Sequence, residues 1–182
     1  MIGGAPGQQN PSAPPAGAAR QQPAPQAQPS APMMEEIGQL REVLRVAPDN
    51  VDALRRLANI YQDAQMYTQA IEFYEKAIAI QGNDPNVLTD LGTCLGGVRR
   101  NQEALAMFRR AQALDPNHWQ SVFNTVIIAG LNMHDFKTAD AALKKLEGMP
   151  GAQPHLAGLR QALEGARAAD EGHDHSSEEN PS

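Results

Sequence analysis

Apolar residues recur at helical spacing from about residue 34 onward. A first set lies at the i, i+3, i+4, i+7 spacing of one helix face: Leu54, Leu57, Ala58 and Tyr61. After a short break, a second set repeats this spacing: Ala70, Ile71, Tyr74, Ala77 and Ile78. Because no stretch sustains a period of two, strands are not expected. The pattern predicts an all-α chain in which amphipathic helices pair through tight turns.

The two-helix pattern recurs along the chain. Seven of its positions return at a sequence offset of 34, as Leu88, Leu91, Gly92, Leu95, Ala104, Phe108 and Ala111. A third, weaker copy follows the second at an offset of 35, as Phe123, Val126, Ile127, Gly130, Ala139, Leu143 and Leu146. Prolines punctuate these units: Pro48, Pro116 and Pro150. We therefore predict three repeats, at about 51–84, 85–118 and 119–152.

This unit resembles the tetratricopeptide repeat, a helix–turn–helix with small and large apolar residues at these positions and the same repeat length. The resemblance covers about residues 34–169 and implies repeats stacked in a right-handed α–α superhelix. Gly130 departs from the family pattern, which usually has a large residue there. One helix pair cannot bury its apolar face alone. Flanking helices at about 34–46 and 153–168 are therefore expected to close the array.

Composition divides the chain into three parts. Residues 1–33 hold 8 of the 14 prolines, 6 glutamines and one charged residue, Arg20, so they cannot bury enough apolar surface to fold. Residues 170–182 contain five acidic residues and no Lys or Arg. We predict a disordered Pro/Ala/Gln-rich linker and an acidic disordered tail. Most of the net charge of −6 belongs to that tail, because residues 34–169 sum to −2.

The charge and hydropathy of the repeat body exclude two classes of partner. A net charge of −2 over this body argues against the clustered basic surface that nucleic-acid binding needs. No apolar run approaches the ~20 residues that span a bilayer, so no membrane span is expected in this chain. As the chain is written, these features predict a cytoplasmic protein.

Candidate reactive side chains are few. Cys94 is the one cysteine of the chain, so no internal disulfide can form. Its apolar helical surroundings predict a half-buried structural thiol. His118 is predicted to be solvated at a helix start, and Trp119 to cover the junction between the second and third repeats. No acid, base and nucleophile come together in the sequence. We predict a protein that is not an enzyme and that has no cofactor.

The resemblance also implies where a partner binds. Proteins of this family place the first helix of each pair on a concave wall that usually binds peptides or helices. Carried over position by position, this gives twelve candidate groove residues: Asp52, Arg55, Asn59, Gln62, Asn86, Thr89, Asp90, Thr93, Ser121, Asn124, Thr125 and Ile128. Taken singly, such positions could equally be solvated surface. The main hypothesis is a scaffold or adaptor that binds a partner peptide or helix in this groove.

Two of these residues match part of a known binding motif. Arg55 and Asn59 occupy positions that one subfamily uses in a carboxylate clamp for the acidic C-terminus of a chaperone. Asp90 stands where that clamp has an amide, and a carboxylate ligand would meet it without compensating charge. The full clamp is therefore not expected, although the forked Arg55 side chain could still position one ligand acceptor.

Two alternatives belong to other functional classes. Residues 88–124 also resemble the repeat domains of membrane-tethered bacterial proteins related to cytochrome c maturation factors, in which a proline- and alanine-rich linker follows the anchor. That resemblance implies an envelope assembly factor or chaperone, periplasmic if an upstream anchor is missing. The second alternative is weak metal binding by His173 and His175. A flexible tail lacks the outer hydrogen bonds that fix metal ligands, so a solvated tail is favoured.

Overall fold

A computed structural model describes residues 29–174, and within them the chain forms eight α-helices and one π-helical segment. The elements in chain order are α1 (Ala31–Val46), α2 (Val51–Asp63), α3 (Tyr67–Ile80), α4 (Pro85–Gly97), α5 (Asn101–Leu114), α6 (Trp119–Val126), the π segment (Ile127–Asn132), α7 (Phe136–Glu147) and α8 (Gln153–Asp174). The prediction of an all-α chain is confirmed, since the described residues contain no strand.

The helices pack as a linear array of neighbours. The three pairs α2–α3, α4–α5 and α6–α7 pack internally, and α3 and α5 each pack on the first helix of the next pair. At the ends of the array, α1 packs on α2, while α8 packs on α7 and the π segment. The two terminal helices therefore cover apolar faces that the outer pairs would otherwise expose.

Both terminal helices are longer than the sequence indicated. Helix α1 begins at Ala31, inside the predicted linker, because Pro32 lies in the first turn, where a proline needs no backbone N–H partner. Helix α8 continues to Asp174, inside the predicted tail. His134 Nδ1 lies 2.7 Å from Asp170 Oδ1, which holds this extension against the turn before α7. The remaining parts of the predicted linker and tail, 1–28 and 175–182, lie outside the described residues.

Buried side chains form two hydrophobic clusters. The first joins α1 to the first two repeats and includes Ile37, Leu57, Tyr74, Leu91 and Phe108. The second joins the third repeat to α8 and includes Val122, Val126, Leu146, Leu159 and Leu163. The predicted small positions lie where helices meet, and Ala58, Ala70, Ala104 and Ala111 have no exposed surface.

The third repeat carries one additional residue inside its first helix. Backbone N–H groups at the turns donate to equivalent carbonyls: Met66 to Tyr61, Arg100 to Leu95, and Asp135 to Ala129. Successive acceptors keep the offset of 34, whereas the last two donors are 35 apart. The insertion therefore lies between Ala129 and Asp135. The π segment absorbs it, because its wider turn accommodates one more residue than an α-turn.

This insertion corrects the predicted alignment of the third repeat. Before the insertion the offset is 34, so the equivalent of the buried Leu88 is Val122, which is 1% exposed. Phe123, which the uniform offset of 35 placed in the core, is only half-buried. From Ala139 onward the predicted offset of 35 holds, and Ala139 is fully buried like Ala104.

Candidate partner-binding groove

The first helices of the three repeats carry side chains at corresponding positions. Helices α4 and α6 pack directly on each other, and Asn124 Nδ2 donates a hydrogen bond to Thr93 Oγ1 at 3.1 Å. We refer to the surface lined by Arg55, Asn59, Asp90, Thr93 and Asn124, together with its continuation over α6 and α8, as the groove face. It runs across the helices, as expected for a binding surface shared by successive repeats.

At the N-terminal end of the groove face, the cationic side chain is already paired. Arg55 Nη1 lies 3.1 Å from Asp84 Oδ2. Asp84 is also the N-cap of α4, where its side chain accepts from the Asn86 backbone N–H at 2.9 Å. Because Arg55 is held by the cap of the next repeat, its charge is largely balanced before any ligand arrives.

The amide side chains at this end are fixed by a buried tyrosine. The Tyr74 hydroxyl lies 2.7 Å from Asn59 Oδ1 and 2.6 Å from Gln62 Oε1. Burial raises the pKa of Tyr74 well above its ordinary value, so the hydroxyl keeps its proton. One proton can be donated to only one of the two amides, and the other amide can donate to the hydroxyl oxygen through its nitrogen. The amides are therefore positioned rather than free to rotate.

Asp90 is the half-buried carboxylate of the groove face. Burial raises its pKa to about 6, Arg55 opposes that shift, and Asp84 and Asp63 add to it. Within residues 29–174, no side chain or backbone donor makes a hydrogen bond to this carboxylate. Asp90 therefore offers unfilled acceptor capacity in a partly desolvated position.

The structure separates the twelve predicted groove residues by exposure. Asp52, Asn59 and Asn86 are exposed; Arg55, Gln62, Asp90, Thr93, Asn124 and Thr125 are half-buried; Thr89, Ser121 and Ile128 are buried. Thr89 is buried because its hydroxyl turns back to donate to the Pro85 carbonyl at 2.8 Å. The first two repeats thus supply most of the accessible predicted residues.

Three of the four third-repeat predictions require correction. Ser121 has no exposed surface, and its hydroxyl donates to the His118 carbonyl at 2.8 Å. Thr125 accepts a hydrogen bond from Gln112 of α5 at 3.2 Å and so faces the preceding helix. Ile128 packs in the first hydrophobic cluster. These predictions were displaced by one position, because the offset of 35 does not apply before the π segment.

With the corrected offset of 34, the third-repeat positions of the groove face are Gln120, Phe123, Asn124 and Ile127. Phe123 and Ile127 line a cleft of about 320 Å³ together with Pro154, His155, Gly158 and Leu159 of α8. Sequence reasoning did not place these residues in the groove. The helix starts carried the necessary signal, since the N-caps of α4 and α6, Asp84 and His118, keep the offset of 34.

His118 is buried and structural, which corrects the prediction that it is solvated. It is 7% exposed and caps α6, with Nδ1 accepting the Ser121 backbone N–H at 3.3 Å. Because Nδ1 is the acceptor, the ring proton resides on Nε2, which donates to Asn86 Oδ1 at 3.1 Å. His118 therefore ties the start of α6 to the start of α4.

Trp119 packs toward the C-terminal end of the array rather than over the junction of the second and third repeats. Its ring stacks on His155 with 5.0 Å between centroids and meets Phe123 edge-on at 6.2 Å. These contacts connect α6 to α8 and form one wall beside the cleft.

The other candidate chemistry does not assemble into a site. Cys94 has no exposed surface, and burial with the nearby Asp90 charge raises its pKa to about 12, so the thiol stays protonated. Among the described residues, no group of three or more His, Cys, Asp and Glu side chains could hold a metal ion. His175 and the side chain of His173 lie outside the described part. Across that same part, no helix has the length and apolar character needed to cross a membrane.

Comparison with known proteins supports the family and the fold. Residues 49–117, which span the first two repeats, match the tetratricopeptide repeat family. Within these residues the chain carries tetratricopeptide repeats. No curated protein matches the sequence significantly.

Several solved structures share this architecture at low sequence identity. The crystal structure of MamA has a TM-score of 0.66 and 22% identity, covering 76% of this chain and 78% of that one. MamA from Desulfovibrio magneticus RS-1 has a TM-score of 0.63 and 19% identity, covering 67% and 68% of the two chains. YrrB, described as a TPR protein with an unusual peptide-binding site, has a TM-score of 0.65 and 18% identity over 77% and 70%. At these identities the likeness concerns the fold.

Proposed function

We propose that this repeat protein is an interaction scaffold that binds a segment of a partner protein on its groove face. The observation that carries the proposal is a surface whose polar side chains are held in place while binding capacity remains. Asn59 is fixed by Tyr74 and Asn124 donates to Thr93, yet the Asp90 carboxylate has no hydrogen-bond donor among the described residues. A preorganised surface of this kind binds with less ordering cost than a mobile one.

Two further observations support a protein partner. The groove face extends over three successive repeats and α8, which suits an elongated ligand more than a small molecule. The fold is shared with YrrB, whose structure is described as having a peptide-binding site. This role needs no catalytic centre. The accessible side chains of the groove face can make hydrogen bonds and ion pairs with a partner.

A competing surface sets the design of the test. Val46, Ile80 and Leu114 are large apolar residues that are 73%, 49% and 48% exposed, and they stand one repeat length apart at the ends of α1, α3 and α5. Exposed apolar residues at regular spacing could also contact a partner. The experiment must therefore separate the groove face from this edge.

We would select binders from a randomised peptide library against the full chain and measure their affinities by fluorescence anisotropy. The double variant Asn59→Ala/Asp90→Ala should weaken binding by about tenfold or more, which is a loss of about 1.4 kcal/mol. The matched control Ile80→Ser/Leu114→Ser should change it by less than about twofold, with circular dichroism confirming that both variants fold. The opposite result would move the site to the apolar edge, and peptides indifferent to both variants would refute the proposal.

The two roles suggested by other features stay predictions. An envelope assembly factor would require an upstream segment of ~20 apolar residues in the same reading frame, and a start signal directly before Met1 would count against it. Weak metal binding by His173 and His175 would give heats of nickel or zinc binding that disappear when the chain is truncated at Asp170.

A further inference from the structure

The two ends of the groove face differ in charge and polarity. At the N-terminal end, the charged groups around Asp90 are Arg55, Asp84 and Asp63. Arg55 forms an ion pair with Asp84 at 3.1 Å. The one cation and the three carboxylates together carry a net charge of −2. An acidic ligand would add to that excess, whereas a cationic side chain would neutralise it and supply the donor that Asp90 lacks.

At the C-terminal end, the groove face becomes apolar. Phe123 and Ile127 replace the threonines found at the equivalent positions of the second repeat, Thr89 and Thr93. Across from them, α8 contributes Leu159 to the same cleft of about 320 Å³. An apolar side chain placed in this cleft would lose its contact with water and gain packing against both helices.

A glycine keeps the cleft open. A Cβ atom built on Gly158 would meet no atom within 4 Å, so the position has room for a side chain that the chain does not provide. Glycine in a helix interior is less favourable than alanine, because it loses more backbone freedom on folding. Gly158 therefore leaves space in the cleft, although it makes α8 less stable than an alanine would.

The distance between the two ends follows from helix packing. Asp90 lies on α4, and the cleft begins on α6, which packs directly against α4. Packed helix axes lie about 8–10 Å apart, and an extended chain advances about 3.3 Å per residue. A ligand crossing both helices therefore spans the separation with about three residues.

We propose that the groove face binds an extended partner segment that carries a Lys or Arg side chain against Asp90 and a bulky aliphatic or aromatic side chain in the Phe123–Ile127–Leu159 cleft, about three residues apart. This inference rests on the proposed function and specifies the chemistry of its ligand. The charge at one end and the apolar cleft at the other together determine the partner, and neither would select it alone.

The binders selected from the peptide library provide the first measurement. Their sequences should be enriched in Lys or Arg followed or preceded, about three residues away, by Leu, Ile, Met or Phe. Binding that is lost in Asn59→Ala/Asp90→Ala but shows no such enrichment would overturn the ligand chemistry and leave the proposed function standing. Failure to select any binder sensitive to that double variant would overturn both.

The cleft is tested with a matched pair of glycine substitutions on α8. Gly158→Leu should fill the cleft and weaken binding of a selected peptide by about tenfold or more. Gly165→Leu is the control, because a Cβ there also meets no atom within 4 Å and Gly165 does not line the cleft; its affinity should change by less than about twofold. Equal effects of the two variants would overturn the assignment of the cleft.

The acidic end is tested by a double-mutant cycle between protein and peptide. Asp90→Asn should weaken binding of a Lys-containing peptide about fivefold or more, and should have little effect once that Lys is replaced by Gln. Equal losses for both peptides would overturn the pairing. Sedimentation of the free chain identifies a different occupant: self-association that Gly158→Leu abolishes and Gly165→Leu preserves would mean that a second copy fills the cleft, which contradicts the proposal.

Discussion

The second and third repeats place the same helix pair in two different settings. In the second, α4 is α-helical throughout and presents Gly92 to the Phe108 ring, so closely that a Cβ at that glycine would overlap Phe108 Cε1. In the third, the first helix contains the π segment, and the ring position is occupied by the half-buried Leu143. One inserted residue is thus accommodated without changing where the helix begins. The insertion shifts only the residues on its C-terminal side.

This difference coincides with a change in the binding surface. Up to the π segment, Thr89 and Thr93 of the second repeat are matched by Phe123 and Ile127 of the third, and Asp90 is matched by Asn124. The threonine positions of the second repeat make backbone hydrogen bonds within α4, whereas their apolar equivalents line a cleft with α8. The same helix-pair backbone therefore presents a charged surface in the second repeat and an apolar surface in the third.

The largest expected contrast concerns the ring position itself. Phe108→Ala should lower the free energy of unfolding by about 4 kcal/mol, because it removes a fully buried ring from the first hydrophobic cluster. The equivalent Leu143→Ala should cost about 1–2 kcal/mol, since Leu143 is only half-buried. Urea unfolding followed by circular dichroism measures both. Equal losses would show that the third repeat is packed as tightly as the second.

The next contrast concerns the glycines. Gly92→Ala should destabilise by about 1–2 kcal/mol, because the new methyl group meets three atoms of a rigid ring and the gain in helix propensity offsets only part of that clash. Gly130→Ala should cost less than Gly92→Ala, because its nearest contact is Leu163 Cδ1, the far end of a flexible side chain, and its next is Ala139 Cβ at 3.1 Å rather than a ring.

A second substitution sharpens the glycine comparison. In a Phe108→Leu background, the penalty of Gly92→Ala should shrink, since the two changes share one contact and their effects are not additive. Urea unfolding of the two single variants and the double variant gives the coupling free energy. A penalty that stays the same would place the strain elsewhere than in the ring contact.

The sequence was sufficient to predict the repeats and their paired helices, because the residues that recur at helical spacing are the ones that pack in the core. Each of Leu57, Ala70 and Leu91 is buried at the depth that its spacing implies. These positions follow from the helical period and from the need for small residues where helices cross. The same reasoning predicted the terminal helices, but it underestimated their length, since exposed residues near a helix end carry little periodic signal.

The sequence was insufficient at the point where the repeat length changes. An offset of 35 shows that a residue has been added but does not say whether it lies in a helix or a turn. At an offset of 35 Gly130 stands where the family usually has a large residue, whereas at 34 it matches Gly96, but one such position does not locate the added residue. His118 was also missed, because histidine is not among the preferred N-cap residues. Its buried role depends on Asn86, a distant partner at the start of α4.

The smallest expected effect is the one that depends on pH. Asp90→Asn gives the second repeat the amide that the third has at Asn124, and it removes a partly buried charge. Because the pKa of Asp90 is raised to about 6 from the ordinary value of 3.8, the folded state holds more protons than the unfolded state between those values. The stability of the parent chain should therefore fall as pH rises through that window.

The substitution should accordingly raise the free energy of unfolding by about 1 kcal/mol at pH 8, where Asp90 is ionised, and by less at pH 4.5. This is below the roughly 3 kcal/mol that a pKa raised from 3.8 to about 6 would give in full, at about 1.4 kcal/mol for each pKa unit, because Asp90 keeps some contact with water and the amide must itself be partly buried. Asp49→Asn, at an exposed turn position, reports the effect of removing one surface charge. Urea unfolding at both pH values distinguishes the two variants. If Asp90→Asn lowered the free energy of unfolding at pH 8, the Asp90 carboxylate would be stabilising the fold. Its presence in the groove face would then be explained by folding rather than by partner binding.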